Sequence, residues 1–422
     1  MSFKREKMKI CVLGLGVIGL PTALLLAKNG FEVVGIDIDD RLVNLLKNGN
    51  IPFQEPGLKE LFNETKGNFR VENTIENSDV FLIAVPTPLI KDLKVTDLNF
   101  VTSACEMVTA KLKKGNLVIL ESTVPPTTCE RLVIPILESK GVKRDQFYFY
   151  YCPERAMPGN TLNEMINNDR SIGSLDDKSL EKIKTIYSTF VKGNIYFTDL
   201  ITAEIVKIVE NTYRDVNIAL ANELAKICED YDTNVWDVIY LANKHPRVNI
   251  LNPGPGVGGH CIPIVPWFLT DYSLHARLIT TAREINDFMP NYVLELLNMM
   301  MKDNKNLTVT ILGVSYKKNV DDARESPALK FIQLASNYGY IIKCHDPIVT
   351  HFRYPLHSLE ESLKNSDCIV LFTDHDVFKK IDPSTLVLKS KNILDTRNCI
   401  NPSEWIEAGF NVKILGNNKK NI

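Results

Sequence analysis

The stretch KICVLGLGVIGLPTALLLAKNGFEVVGIDID (9–39) limits the fold of this chain more than any other. Two apolar runs of strand length flank a glycine turn and an apolar helical pattern, and the second run ends in a carboxylate, Asp37. Gly14, Gly16 and Gly19 have the spacing GxGxxG. The first glycine permits a tight turn, the second lets backbone come close to a pyrophosphate, and the third lets the helix pack against the strand. A carboxylate about 20 residues on suits ribose hydroxyls. The segment therefore predicts a dinucleotide-binding unit, with Val17 and Ile18 lining the turn and Arg41 just beyond Asp37. Negative charge at Asp37 repels a 2′-phosphate, so the expected cofactor is NAD rather than NADP.

The alternation continues. Runs at 79–86, 116–123 and 147–154 read as further strands separated by helical patterning, as a doubly wound parallel sheet requires. Thr87 in AVPTP and Thr123 in ESTVPP follow two of them, at the carboxyl edge where a nicotinamide is expected. This domain is assigned to 1–198. The run 202–231 then contains neither Gly nor Pro and predicts a helix about 45 Å long, a spine that is either a plain core helix or a dimer contact. Helical sequence broken by the loop 252–266 continues to about 303, and strands at 307–316, 340–347, 367–375 and 392–398 predict a second α/β domain over 304–422. The expected class is α/β: two Rossmann-like doubly wound domains joined by a central helical segment, 199–303. A ligand cleft is expected between them.

Composition bears mainly on what is excluded. At 422 residues and 45% hydrophobic, the chain has material for two or three cores. A net charge of -2 offers no basic face for nucleic acid or an anionic membrane, so neither is expected as a partner. The basic opening before Cys11 invites a signal-peptide reading, but the glycines and charged continuation fit a first strand better. No later run reaches the roughly 20 apolar residues of a span, and the expected location is cytoplasmic. Nine cysteines with no CxxC pair argue against a disulfide framework or zinc site, and no metal is expected. Most should be buried as small apolar residues.

Cys261 differs because it lies in GVGGHCIP, a glycine-rich loop read as letting substrate approach the backbone. A thiolate near cationic groups and exposed amides is available as a nucleophile. On the predicted long helix, Lys207, Asn211 and Arg214 fall at i, i+4 and i+7 and share a face. Burial of that face would be costly unless a ligand satisfied it. His260 is left out of the catalytic set because adjacent residues rarely face each other.

These residues, with LIAVPTP, ILESTVP, YCPERAMPG, ENTYRDVNIALANEL, LANKHPRVNIL, PGPGVGGHCIP, ARLITTAREIND and DDARESPA, resemble the UDP-glucose/GDP-mannose dehydrogenase family over nearly the whole chain. YRDVNIALANE and HPRVNIL are similar to members acting on UDP-N-acetylhexosamines. The resemblance implies NAD-dependent four-electron oxidation of a sugar primary alcohol to a carboxylate, on UDP-N-acetyl-D-mannosamine, or alternatively its gluco epimer, for a surface polysaccharide or glycan. It also implies at least a homodimer. Cys261 would be the nucleophile, Lys207 the acid/base, Asn211 and Lys207 the oxyanion partners, and Glu154 the group that activates water, with Thr123 in the catalytic set as well as the cofactor site. Substrate contacts carried over by position are Arg155, Ala156, Lys207, Asn211, Arg214, His245, Arg247, Gly258, Tyr316, Lys317, Arg324 and Arg397, with Arg324 also near the cofactor. Arginine and lysine suit a diphosphate. One departure stands out: many members carry Asp four residues after the cysteine, and here that position is Val265. Thioester hydrolysis is then expected to be slower or to rest on Glu154.

Overall fold

The computed structural model describes residues 8–90, 92–175, 180–270, 273 and 275–419. The basic stretch 1–7, expected to lead into the first strand, lies outside the described residues. The chain forms two compact units, Met1–Glu210 with Trp267–Ser273, and Asn211–Pro266 with Leu274–Ile422.

The first unit is built on β1 (Lys9–Leu13), β2 (Glu32–Ile36), β3 (Phe69–Glu72), β4 (Val80–Ile83), a hairpin of β5 (Leu89–Ile90) and β6 (Val95–Thr96), then β7 (Leu117–Leu120), β8 (Tyr148–Tyr151), β9 (Arg170–Ser174) and β10 (Ile195–Asp199). Outside the hairpin they form one sheet in the order β10-β9-β8-β7-β4-β1-β2-β3. Pairing is parallel throughout except between β8 and β9. From β3 to β8 this is the doubly wound order that the alternating pattern predicts. Strands β4 and β7 are buried along their whole length, as a parallel sheet covered on both faces demands. Leu20, Leu24, Tyr150 and Tyr187 fill one layer, and Val101, Cys105, Val133 and Leu137 the other. β3, β9, β10 and the hairpin were not anticipated; the half-exposed β10 and the alternating β3 lack continuous apolar runs.

The second unit carries β11 (Thr308–Leu312), β12 (Ile341–His345), β13 (Cys368–Leu371), β14 (Asn392–Asp395) and β15 (Asn411–Ile414), all parallel in the order β12-β11-β13-β14-β15. This too is a doubly wound order, with the reversal between β11 and β13. The helix Leu200–Asp230 runs from the first unit into the second, and Arg277–Met301 supplies the other long helix. Ala221, Ala225, Met289, Val293 and Leu297 pack with Val309, Ile311 and Phe331 in its core. Ser326 caps the helix Pro327–Tyr338, a proline opens it, and Gly339 at φ 116 ends it where a side chain would be strained. Among the described residues no helix is long and apolar enough to cross a membrane.

The core of the first unit encloses charge. Arg170 is buried against Glu154 at 2.6 Å and lies over the Tyr187 ring, 4.8 Å from its centroid. Glu121 accepts from Tyr187 Oη at 2.6 Å and Thr22 Oγ1 at 3.1 Å. Burial pushes the Glu121 carboxyl from 4.5 up to about 7, although Arg170 pulls the other way. Folding therefore tightens proton binding: stability present below pH 4.5 is lost as the pH rises to about 7. Denaturant titrations across this window should show a decline of about 3 kcal/mol assignable to this group. Glu121→Gln, which keeps both hydroxyl partners, should flatten that part of the profile.

Candidate active site

The glycine turn after β1 is shaped by contacts at two of its three glycines. Gly14 adopts φ +90, and a Cβ there would stand 2.5 Å from the Ala84 carbonyl oxygen. A Cβ on Gly19 would stand 1.9 Å from the Gly14 oxygen, so the helix Gly19–Lys28 starts directly against the turn. Gly16 is different, because a Cβ there would meet nothing within 4 Å among the described residues. The open space beside exposed backbone, at a helix N-terminus, fits a pyrophosphate. Asp37 accepts the Leu15 N–H at 2.8 Å and the Asp39 N–H at 3.0 Å, which fixes its carboxylate beside the turn. Val17 is exposed, Ile18 is half-buried against the core, and Arg41 projects into solvent near Asp39. Thr87 donates to the Thr123 carbonyl at 2.7 Å, so these two predicted residues meet after β4 and β7.

Beyond β8, Glu154 Oε2 is paired with Arg170, and Oε1 accepts the N–H groups of Arg155 and Ala156 at 2.6 and 2.9 Å. Both oxygens thus hold the turn that carries two predicted substrate contacts. The Arg155 guanidinium donates to Ser171 Oγ and the Asp169 carbonyl and pairs with Glu210 at 2.7 Å. Glu204 accepts from the Thr127 and Cys129 N–H groups and so fastens the segment after Thr123 to the long helix. Arg170, Glu121 and Glu204 were not singled out from sequence; Glu121 and Glu204 gave one sign, a charge inside an apolar run, and Arg170, in NNDRS, gave none.

On the helix Leu200–Asp230, Lys207 and Asn211 are buried and Arg214 is half-buried. Arg214 donates to Asn211 Oδ1 at 2.5 Å, while Asn211 Nδ2 is buried with no acceptor among the described residues. A buried, unmatched amide donor is costly and suits a site that an oxygen-rich ligand completes.

In the second unit the cysteine loop lies against the ends of its own sheet. Gly259 N–H donates to the Arg324 carbonyl, and a Cβ on Gly259 would stand 2.9 Å from the Tyr316 ring. Gly258 is hemmed in by the Glu325 oxygen and Tyr316 Cβ, each 2.7 Å from where its Cβ would be. Gly254 packs on the Arg397 guanidinium, with a Cβ position 2.6 Å from Nη1. The glycines of this loop thus let it pack closely on the rest of its own unit, at Tyr316, Glu325 and Arg397. Arg324 grips Asp322 through Nε and Nη2 at 2.8 and 2.7 Å. Burial pushes the Tyr316 hydroxyl up to about 12, and the nearby Asp322 and Cys261 charges add to it. His245 and Arg247 form a separate exposed pair, 3.4 Å apart, on a segment whose Asn249 carbonyl accepts from Asn217. The Lys317 carbonyl accepts from Ser315 Oγ, and Ser315 also contacts the buried His375. Val265 is buried, its N–H bonded to the Cys261 carbonyl at 2.8 Å.

Cys261 is exposed, whereas seven other cysteines are buried and Cys399 is half-buried. Burial pushes the thiols of all eight others up and disfavours their thiolates.

A doubly wound sheet with an open glycine turn and an acidic residue just after β2 defines a dinucleotide-binding domain of the kind NAD-dependent dehydrogenases carry. Comparison with known proteins narrows the class. Residues 8–191 match the NAD binding domain of the UDP-glucose/GDP-mannose dehydrogenase family, 201–288 its central domain and 310–402 its UDP binding domain. The chain belongs to this family. It is 48% identical to a UDP-N-acetyl-D-mannosamine dehydrogenase of Methanococcus vannielii, with 98% of each chain covered. The solved UDP-D-ManNAc dehydrogenase of Pyrococcus horikoshii superposes with a TM-score of 0.92 at 38% identity, covering 98% of this chain and 100% of that one. The UDP-N-acetyl-mannosamine dehydrogenase of Staphylococcus aureus gives 0.88 at 42% identity, over 97% and 98%.

The glycine geometry separates binding from folding. Gly16→Ala should leave the melting temperature near that of the parent but weaken NAD binding, read by calorimetry, by about tenfold or more, since a methyl enters the anion's space. Gly19→Ala should instead destabilise the fold by about 1–3 kcal/mol or more in denaturant titration, because its methyl overlaps a carbonyl.

Proposed function

We propose that this protein oxidises C6 of UDP-N-acetyl-D-mannosamine to the carboxylate through a covalent intermediate on Cys261. The observation that carries the reading is the exposure of that one thiol, when burial raises the other eight. Its relatives' names, the arginines after β11 and β14, and the unmatched Asn211 amide all support a diphosphate sugar as substrate. NAD, held by the Gly14–Gly19 turn, Asp37, Thr87 and Thr123, supplies the hydride acceptor, once for each of two oxidations.

The residues do the rest. Lys207 takes the proton of the C6 hydroxyl as the first hydride leaves. The Cys261 thiolate then adds to the aldehyde carbon; its sulfur–carbon bond forms as the carbonyl pair moves onto oxygen, where Lys207 and Asn211 stabilise the charge. Loss of a second hydride restores the carbonyl as a thioester. Water adds to that carbon and the sulfur–carbon bond breaks, returning the thiolate and releasing the carboxylate. With Val265 in the place of a carboxylate, thioester hydrolysis is either slower or rests on Glu154, whose two oxygens are engaged by Arg170 and by the Arg155 and Ala156 N–H groups.

In this scheme 1–198 holds the cofactor, 199–303 supplies catalysis and dimerisation, and 304–422 holds the UDP moiety. Arg155, Ala156, Arg214, His245, Arg247, Gly258, Tyr316, Lys317, Arg324 and Arg397 are the further substrate contacts. The helix Leu200–Asp230 leaves Ile205, Val209, Tyr213, Leu220 and Ile227 exposed at steps of four and seven, an apolar stripe that supports a homodimer. The product would serve a surface polysaccharide or glycan made from cytoplasmic precursors.

Assays with UDP-N-acetyl-D-mannosamine should yield two NADH per sugar; one per sugar would indicate a two-electron enzyme, and turnover of the gluco epimer alone would transfer the assignment to it. Cys261→Ser should retain NAD binding while carboxylate formation falls by about two orders of magnitude or more. Full activity in that variant would remove the covalent route.

A further inference from the structure

The cysteine loop is tied to the interior by a chain of buried polar groups. Asn222, wholly buried on the helix Leu200–Asp230, accepts the Gly254 N–H on Oδ1 at 2.8 Å and donates through Nδ2 to Asn286 Oδ1 at 2.9 Å. Asn286, also buried, donates in turn to the Asp215 carboxylate and carbonyl at 2.8 and 2.9 Å. Asp215 is paired with Arg283, and both are inaccessible to solvent. Each partner fixes the orientation of the next: Asp215 accepts only, so Asn286 must present its amide nitrogen there and its oxygen to Asn222. That leaves Asn222 one orientation, with its oxygen toward Gly254.

The arrangement is costly. Asp215 Oδ2 and Arg283 Nε are buried without hydrogen-bond partners among the described residues, and an apolar core would avoid that penalty. What the network holds is the start of the loop that ends in Cys261. Gly254 also rests directly on the Arg397 guanidinium, and two residues on, Gly256 at φ +125 lies against the Asn286 carbonyl and Pro327. A shift of Gly254 would thus move both the loop and an arginine assigned to the substrate.

We infer that Asn222 is a positioning residue for the nucleophile: through the Gly254 N–H it sets where the cysteine loop and Arg397 sit, and Asp215, Arg283 and Asn286 set Asn222. This rests on the covalent reading of Cys261 proposed above. Misplacing a reacting group by about 1 Å can cost on the order of a hundredfold, so the second oxidation should be the sensitive one.

The test compares parent, Asn222→Ala, Asn286→Leu and Cys261→Ser in pre-steady-state NADH formation with UDP-N-acetyl-D-mannosamine, alongside thermal melts and the KM for NAD. At saturating sugar, the first hydride phase per folded enzyme in Asn222→Ala should stay within about twofold of the parent, while the second phase and carboxylate formation slow by about tenfold or more. The KM for NAD should be unchanged. Asn286→Leu, which frees the Asn222 amide to rotate, should shift the same ratio in the same direction. A merely structural loss would lower both phases together in proportion to folded protein. Parental phase ratios in whichever of the two variants folds, or equal slowing of both phases, would overturn the inference. If Cys261→Ser still forms carboxylate at the parental rate, the covalent reading fails instead, and the two failures are distinct.

Discussion

Parallel hydrogen bonding between neighbouring strands is the constraint on which the arrangement of both units depends. Strands that run the same way end along the same edge, so whatever follows them is gathered there without any side chain having to seek its partner. In the first sheet the glycine turn follows β1, Asp37 follows β2, Thr87 follows β4, Thr123 follows β7 and Glu154 follows β8. In the second, Tyr316 follows β11 and Arg397 follows β14. Reversal of β9 against β8 comes only after the last of these positions in its sheet, where it brings Arg170 back to Glu154.

Local packing then refines what topology has gathered. Turn by turn, the same device recurs: a carboxylate collects backbone N–H groups and fixes a loop. Asp37 does this after β2, Glu154 after β8, and Asp346 after β12, where it accepts from Val314, Ser315, Ile348 and Val349. Burial alone would raise the Asp346 carboxyl, but His375 and these amides hold it at about 2. Rigid loops of this kind can present functional groups without further reorganisation.

Much of this was legible in the residues. The apolar runs of β1, β4, β7 and β13 announce buried parallel strands, and GxGxxG with Asp37 marks the cofactor turn by chemistry local to a few residues. Runs read as strands to 86, 123 and 154 extend past Ile83, Leu120 and Tyr151, because apolar and proline-containing loops continue the pattern after pairing has stopped. Arg170 to Glu154 and Asn286 to Asp215 were not legible. They join residues 16 and 71 positions apart, and no periodicity encodes such a pairing. For Asp215 and Asn222 a trace existed, since polar residues seven apart on an otherwise apolar helix face need buried partners. The close packing of the loop glycines was not legible, because absence of a side chain can make room for a ligand or for the protein itself, and sequence does not say which.

Trp267 and Phe268 belong to the first unit although Cys261 and Pro266 belong to the second. Trp267 is buried there, with the Lys94 ammonium 4.0 Å from its ring centroid, beside the hairpin of β5 and β6. The polypeptide therefore passes from one unit to the other at Glu210, returns at Trp267 and leaves again after Ser273. Gene fusion or recombination could not exchange the cofactor-binding half of such a protein as one uninterrupted cassette. A fragment ending at Glu210 would lack Trp267 and Phe268, which the first unit draws from later in the chain.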